Sequence, residues 1–155
     1  MLFDHSHWAC EAADLRWSAP YHLIVLTETG TTAHTKTNCD GELLYDGRDQ
    51  PGALTFVPAN VERIGNYRHA RLSYSALWIS PDLQLAGCEN LSALPVFVNR
   101  TDAVVRSLLS SLRAELSQGF KPETAYVEHL AALALMRIRE LDGAPRGHAG
   151  TASSA

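Results

Sequence analysis

The sequence lacks a long apolar run. Nothing in its 155 residues approaches the roughly 20 consecutive apolar positions that span a bilayer, and Leu23 to Leu26 is a run of only strand length. It also lacks a basic excess: 13 Lys and Arg against 17 Asp and Glu leave a net charge of −4. Binding to a phosphate backbone rests mainly on basic side chains that displace counterions, so this chain by itself is not expected to bind DNA well. The one local basic cluster, Arg63, Arg68 and Arg71 interleaved with Tyr67 and His69, reads most simply as a solvated strand pair. Paired cysteines are missing too. Cys10, Cys39 and Cys88 are odd in number, far apart and outside any C-x-x-C spacing, which argues against a zinc knuckle and fits reduced thiols in a cytoplasm, with Cys88 packing as a small hydrophobe. Met1-Leu2-Phe3-Asp4 has no basic segment, apolar stretch or small-residue cleavage site, so it does not read as a signal peptide.

What is present is ordinary for a globular chain: 46% hydrophobic and 19% charged residues exclude collagen, coiled-coil rods and wholly disordered chains. The length predicts one domain that buries roughly 70% of its extended-chain surface. Residues 1–19 are aperiodic, with aromatics at Phe3, Trp8 and Trp17, and read as an arm or an irregular first strand. From Pro20 to Pro81 short apolar or alternating stretches separated by turn residues predict strands at about 21–28, 32–37, 42–47, 53–57, 62–67 and 71–79. Asp40-Gly41 accepts the positive φ of a hairpin tip. Ser80-Pro81-Asp82 predicts a short helix, and Val96 to Val98 one more short apolar run that completes a barrel over 20–99.

The helical half covers 100–142. Thr101 or Asp102 is a plausible N-cap, followed by Val105, Leu108, Leu109, Leu112 and Leu116 on one amphipathic face that ends near Gly119. A second helix after Lys121-Pro122 carries Val127, Leu130, Ala131, Ala134, Ile138 and Leu141 on one stripe, with Leu133 and Met136 off it. A helix apolar on two sides packs against two partners: here the first helix, and either the barrel or a second subunit. Residues 143–155, rich in small residues, Gly and Pro, read as a flexible linker or tail. The predicted fold class is therefore α+β, mainly β: an antiparallel barrel followed by two antiparallel C-terminal helices.

That order of elements resembles the N-terminal effector-binding domain of AraC-family transcription regulators. The resemblance is carried by His22-Leu-Ile-Val-Leu, by Asp40-Gly41 with Pro51-Gly52-Ala-Leu-Thr-Phe-Val-Pro58-Ala-Asn, and by the strand and turn from Leu72 to Leu83. Two closing-helix patterns complete it: Asp102-x-x-Val-x-x-Leu-Leu with Glu115-Leu116-Ser-Gln-Gly119, and Tyr126-x-Glu128-x-Leu130-Ala-x-x-Leu133-Ala. Together they cover residues 20–142. The resemblance implies a cupin-type barrel that binds a small effector, a homodimer formed through the closing helices, and DNA reading by a helix-turn-helix pair that follows a linker. No such pair is found in these residues; a fragment and a stand-alone domain both fit.

The usual cupin metal pattern, two His one residue apart, then Glu, then a further His, is not met. His34-Thr35-Lys36 has Lys at the second His position, Arg63 stands where the later His would be, and a guanidinium cannot ligate a metal. His5-Ser6-His7 has the spacing but precedes the barrel, and His22 with Glu28 is a same-face pair of a kind that alternation often produces. No nucleophile elbow or phosphate loop occurs, and Cys39 beside Asp40 has a disfavoured thiolate. The expectation is a non-catalytic domain without cofactor or metal. Alternation places His22 and Ile24 on one face of their strand, and Tyr74 and Trp78 opposite Leu77 and Ile79 on another. His22, Ile24, Tyr74 and Trp78 are therefore the expected ligand contacts, with Arg63 as a bidentate anion partner. Trp8 and Trp17 suit an arm over the barrel mouth, or a clip on its outside. Leu130, Leu133, Met136 and Leu141 are the candidate dimer residues. The rival readings are a cupin-fold isomerase or dioxygenase and an interaction module that dimerises with a full-length regulator.

Overall fold

The hairpin tip at Asp40-Gly41 forms as the dipeptide predicts: both residues take positive φ, 50° and 79°, in the two-residue turn that matches strand twist. It joins β3 (His34–Cys39) to β4 (Glu42–Gly47). In the computed structural model, which describes residues 1–84, 89–119, 121 and 123–143 (142 and 143 without their side chains), this hairpin is one edge of a seven-stranded antiparallel sheet. The other strands are β1 (Leu2–Trp17), β2 (His22–Thr31), β5 (Ala53–Val57), β6 (Arg63–Ile79) and β7 (Phe97–Thr101). They run in the order β4-β3-β6-β2-β5-β7, with β1 along the other edge of β6. The approach of β4 to β7 nearly closes the sheet into a barrel.

β6 organises this barrel. Its first half pairs with β3, from Arg63↔Cys39 to Arg68↔His34, and its second half with β2, from Arg71↔Thr31 to Ile79↔His22. Between them His69 takes φ 51°, a conformation uncommon for a non-glycine residue, and the strand bends there without a change of register. The side-chain phase inverts there: Arg63 and Tyr67 face the lumen before it, Leu72, Tyr74, Ala76 and Trp78 after it. Two separate strands predicted over 62–67 and 71–79 are thus one strand with a bend. Gly30 is required where β2 meets this bend, because a Cβ there would lie 2.1 Å from the Arg71 carbonyl oxygen.

Of the two readings for the N-terminal residues, an arm or an irregular first strand, the structure has the strand. Residues 2–17 form a 16-residue strand paired with β6 from Leu2↔Trp78 to Trp17↔Arg63. Its weak alternation hid it, since the same phase change occurs opposite His69.

The helices α1 (Ala103–Ser117) and α2 (Thr124–Gly143) pack on the outer face of the sheet. Ile24, Leu26, Leu54, Phe56, Leu77 and Ile79 meet Val105, Leu109, Leu112, Ala131, Ala134, Leu135 and Ile138 in one buried core. Asp102, not Thr101, is the N-cap, accepting from the Val105 N–H at 3.0 Å. The same carboxylate receives Arg137 of α2 at 2.8 Å, which ties the two helices together. The short helix predicted after Ser80 is a turn as far as Gln84, and a 3-10 turn follows at Leu91–Ala93. Cys88, Pro122 and the predicted tail beyond Gly143 lie outside the described residues. No helix among the described residues is long and apolar enough to cross a membrane.

Candidate functional site

A lumen walled on all sides by strands has to be filled with side chains or left as a cavity. Here a cavity of about 290 Å³ remains, at the lower end for small-molecule sites. β2 contributes Leu23, Val25 and Thr27; β6 contributes Arg63, Tyr67, Leu72, Tyr74, Ala76 and Trp78; β1 contributes Trp8, Leu15 and Trp17. Thr35 and Thr37 of β3, Asp49, Thr55 of β5, and Val98 and Asn99 of β7 complete the wall. Apolar surface with a few fixed polar groups is the composition of a binding pocket.

Of the expected contacts, Arg63, Tyr74 and Trp78 lie in this wall, and so do Trp8 and Trp17, although from a paired strand and not from a loose arm. His22 and Ile24 do not. The phase of β2 is opposite to that expected: Leu23 and Val25 face the cavity, while His22 and Ile24 face the helices. The reason is physical. β2 is buried on both faces, so its run of apolar residues carries no alternation from which the inward face could be read. Ile24 is core at 0% exposure. His22 stacks on Phe56, its Nδ1 accepts the Ala59 N–H at 3.0 Å, and burial pulls its pKa below the ordinary imidazole value.

Aromatic contacts show how the cavity is shaped. Trp17, the cross-strand neighbour of Arg63, meets Trp78 edge to face at 5.4 Å, although Trp78 lies at the far end of β6. Trp8, the neighbour of Leu72, meets Tyr67 in the same manner at 4.9 Å. The β1–β6 ribbon is therefore folded at His69 so that its two ends meet. Arg63, Trp17, Trp78 and Leu23 form the outer end, and Trp17 and Trp78 also border an exposed cleft with Met1, Leu2 and Tyr21. Tyr67, Tyr74, Thr27, Thr35 and Asp49 form the inner end.

The inner end holds the least expected residue. Asp49 sits in a turn rich in Gly and Pro, where nothing in the sequence predicts burial, yet it is 7% exposed. Thr31 donates to its carbonyl at 2.5 Å, its N–H donates to Thr32 Oγ1 at 3.0 Å, and Asn99 Nδ2 donates to its carboxylate. Burial raises its pKa, while bonds from Asn99 and Thr35 and the charge of Arg63 oppose the rise. Thr35 and Thr37 were legible as alternation in His34-Thr-Lys-Thr-Asn; both face the lumen, whereas His34 is exposed and paired with Asp46 at 2.5 Å. Cys39 is buried, which pushes its thiol pKa up. Among the described residues no group of three His, Cys, Asp or Glu side chains converges as metal ligands do.

A second polar cluster lies on the helix side. Glu28, at the bulge between Thr27 and Thr29, faces the helix side as Ile24 and Leu26 do, but makes no contact with His22. One carboxylate oxygen, Oε2, lies 2.6 Å from Ser75 Oγ, 2.7 Å from His5 Nδ1 and 3.3 Å from Arg113 Nε. Glu28 thereby joins β1, β2, β6 and α1. On α2, Leu133 and Met136 are exposed, Leu130 packs in part against the core and Leu141 is half-buried.

No protein-family profile matches the sequence, and no curated protein does either. Solved structures do. An apo variant of ToxT from Vibrio cholerae strain SCE256, a regulator of the AraC family, aligns with 92% of this chain at 8% identity and a TM-score of 0.59. The chain spans 57% of that ToxT chain. A candidate mannose-6-phosphate isomerase from Ralstonia eutropha JMP134 aligns over 50% of this chain and 74% of its own, at 13% identity and a TM-score of 0.38. Pro-11S globulin of pumpkin aligns over 72% and 28%, at 13% identity and a TM-score of 0.40. The chain has the cupin-like fold expected for it, a nearly closed antiparallel barrel followed by two helices, and over nearly all its length it is similar in fold to ToxT.

Proposed function

We propose that this is the effector-sensing and dimerisation domain of an AraC-like transcription regulator. The observation that carries the reading is the lumen cavity, and within it the share that β1 contributes. Trp8, Leu15 and Trp17 are part of the wall, so a small molecule seated there touches the strand and the barrel at once. The reading is non-catalytic. Occupancy biases the seating of β1 and, through the Glu28 cluster, of α1; a separate DNA-reading domain in the cytoplasm senses that bias as a shift of population. The similarity to ToxT in fold, helices included, supports the same reading. Dimerisation belongs to α2, whose Leu133 and Met136 leave 52% and 44% of their surface exposed, more than a helix buried only in its own subunit needs to show.

The test is a thermal-shift screen against metabolite and metal libraries. The expected outcome is a melting temperature that rises with the concentration of a small molecule, as mass action requires of a native-state ligand. Stabilisation by a divalent transition metal alone would move the protein to the cupin enzymes, and a flat response to both libraries would reject the effector site. Sedimentation at micromolar concentration is expected to show a dimer; a monomer would remove that part of the reading.

A further inference from the structure

The outer end of the cavity holds a cation that, among the described residues, has no ion-pair partner. The Arg63 guanidinium lies over the Trp17 ring, 5.2 Å from its centroid, and among the described residues it makes no hydrogen bond or ion pair. Its cross-strand neighbours are Trp17 and Cys39, neither of them an anion. None of the carboxylates around it makes an ion pair with it among the described residues, although its charge acts on Asp49. Glu62 pairs with Arg16 at 3.3 Å, Asp14 with Arg68 at 3.1 Å, and Asp49 accepts from Asn99. A guanidinium has five donors in a planar fork and stays charged, so a lumen-facing one with no ion-pair partner among the described residues is built to meet a carboxylate. Trp17 and Trp78 stand beside it, and the wall inward from them is apolar at Leu23, Val25 and Ala76. At the inner end the Tyr67 and Tyr74 hydroxyls, among the described residues, hydrogen-bond to no protein group. The Tyr67 ring leans back along β6 toward Arg63, over Gly65, where an added Cβ would lie 2.7 Å from its hydroxyl.

We infer that the ligand is a planar monocarboxylate with a hydrogen-bonding group at the end remote from the carboxylate. The carboxylate is clamped by Arg63 between Trp17 and Trp78, the flat body lies on the apolar wall, and the remote group reaches the Tyr74 hydroxyl. The cavity of about 290 Å³ suits a ligand of small-metabolite size. The inference rests on the cavity being an effector site and names the chemistry of that site. It also gives the Arg63–Trp17 stack a purpose, since a stacked guanidinium keeps its donor edges free for a bidentate partner.

The experiment is isothermal titration of the full chain with three matched planar probes: trans-para-hydroxycinnamate, trans-cinnamate and trans-para-hydroxycinnamamide. The hydroxy acid is expected to bind tightest, and the neutral amide about 10- to 100-fold more weakly, the range for losing a charged hydrogen-bonded partner. Arg63→Gln is expected to bring the acid down to the affinity of the amide and leave the amide unchanged. Its melting curve checks that it folds, and the acid-to-amide ratio in the unaltered protein needs no variant. An amide that binds as well as the acid, or a ratio that survives Arg63→Gln, overturns the anion clamp while leaving a small-molecule site in place. Failure of all three probes, with a hit of other chemistry in the thermal-shift screen, overturns the ligand class alone. Failure in both experiments removes the effector site as well.

Discussion

Strands β2 and β6 each have two buried faces, and the two are composed for different tasks. Toward the helices, Ile24, Leu26, Leu77 and Ile79 are at most 1% exposed and interlock with Leu109, Leu112, Leu135 and Ile138. Toward the lumen, the same strands present Leu23, Val25, Thr27, Tyr74, Ala76 and Trp78 around a cavity. The first face is filled to density and supplies stability. The second keeps space, aromatic edges and unengaged polar atoms, and gives up packing to do so. One strand can thus hold the fold together on one side and bind on the other, and substitutions on the two sides should separate stability from binding.

The largest expected effect is on the packed side. Leu77→Ala removes a fully buried side chain from a core in which strands and helices meet, at a cost of about 2–5 kcal/mol, read from denaturant unfolding. Trp78→Ala, one residue away and on the other face, is expected to cost about 1–2 kcal/mol, because the ring is half-buried beside existing space and loses one hydrogen bond to Asp4. The same variant is expected to lose ligand stabilisation entirely in the thermal-shift assay. If instead Trp78→Ala unfolds the domain as Leu77→Ala does, the lumen side is core as well and the contrast disappears.

The two faces were not equally legible. Tyr74 and Trp78 could be placed because Ser73 and Ser75 alternate with them, and such alternation reveals phase. β2 offered Leu-Ile-Val-Leu, in which both faces are apolar, and the inward face was read one residue out of step. The helices were legible from their stripe, although Leu135 was missing from it. Local pattern also misses what depends on distant partners. Asp49 is buried by three threonines and by Asn99, 50 residues away, and β1 is ordered only by its pairing with β6. The phase change at His69 is a backbone event with no side-chain signature beyond a residue type found at positive φ more often than most non-glycine residues.

A smaller effect is expected where the faces are connected. Glu28 belongs to the helix side, but its bulge follows Thr27 of the cavity wall. Glu28→Gln keeps the shape and replaces an acceptor of three contacts by an amide that can satisfy only some of them. The expected loss is about 1–2 kcal/mol, accompanied by faster amide hydrogen exchange in residues 3–9 and, because coupling between two sites is reciprocal, by a change in the affinity of the cavity for its ligand. Unchanged exchange in β1 would show that this carboxylate does not hold the strand to the helices, and the route proposed from cavity to α1 would fail with it.

The smallest effect concerns His22, the residue that sequence reading assigned to the cavity. A ligand contact would change binding with pH, whereas a core histidine changes stability. Burial lowers the His22 pKa below the ordinary 6.5, so in the acid range the unfolded chain binds the extra proton more readily than the folded one. Stability from this group is therefore present above about pH 6.5 and is lost as the pH falls below it toward the folded value. Protonation also removes the acceptor used by the Ala59 N–H. Asp49 works in the opposite sense: its raised pKa means that acid relieves part of the cost of its burial. The His22 contribution is isolated by difference. The unfolding free energy of the wild-type protein is expected to fall more steeply between pH 7 and pH 5.5 than that of His22→Asn, which keeps an acceptor for Ala59 but cannot titrate. Parallel slopes would mean that the imidazole is not held neutral on the packed face, and the assignment of His22 to the core would have to be withdrawn.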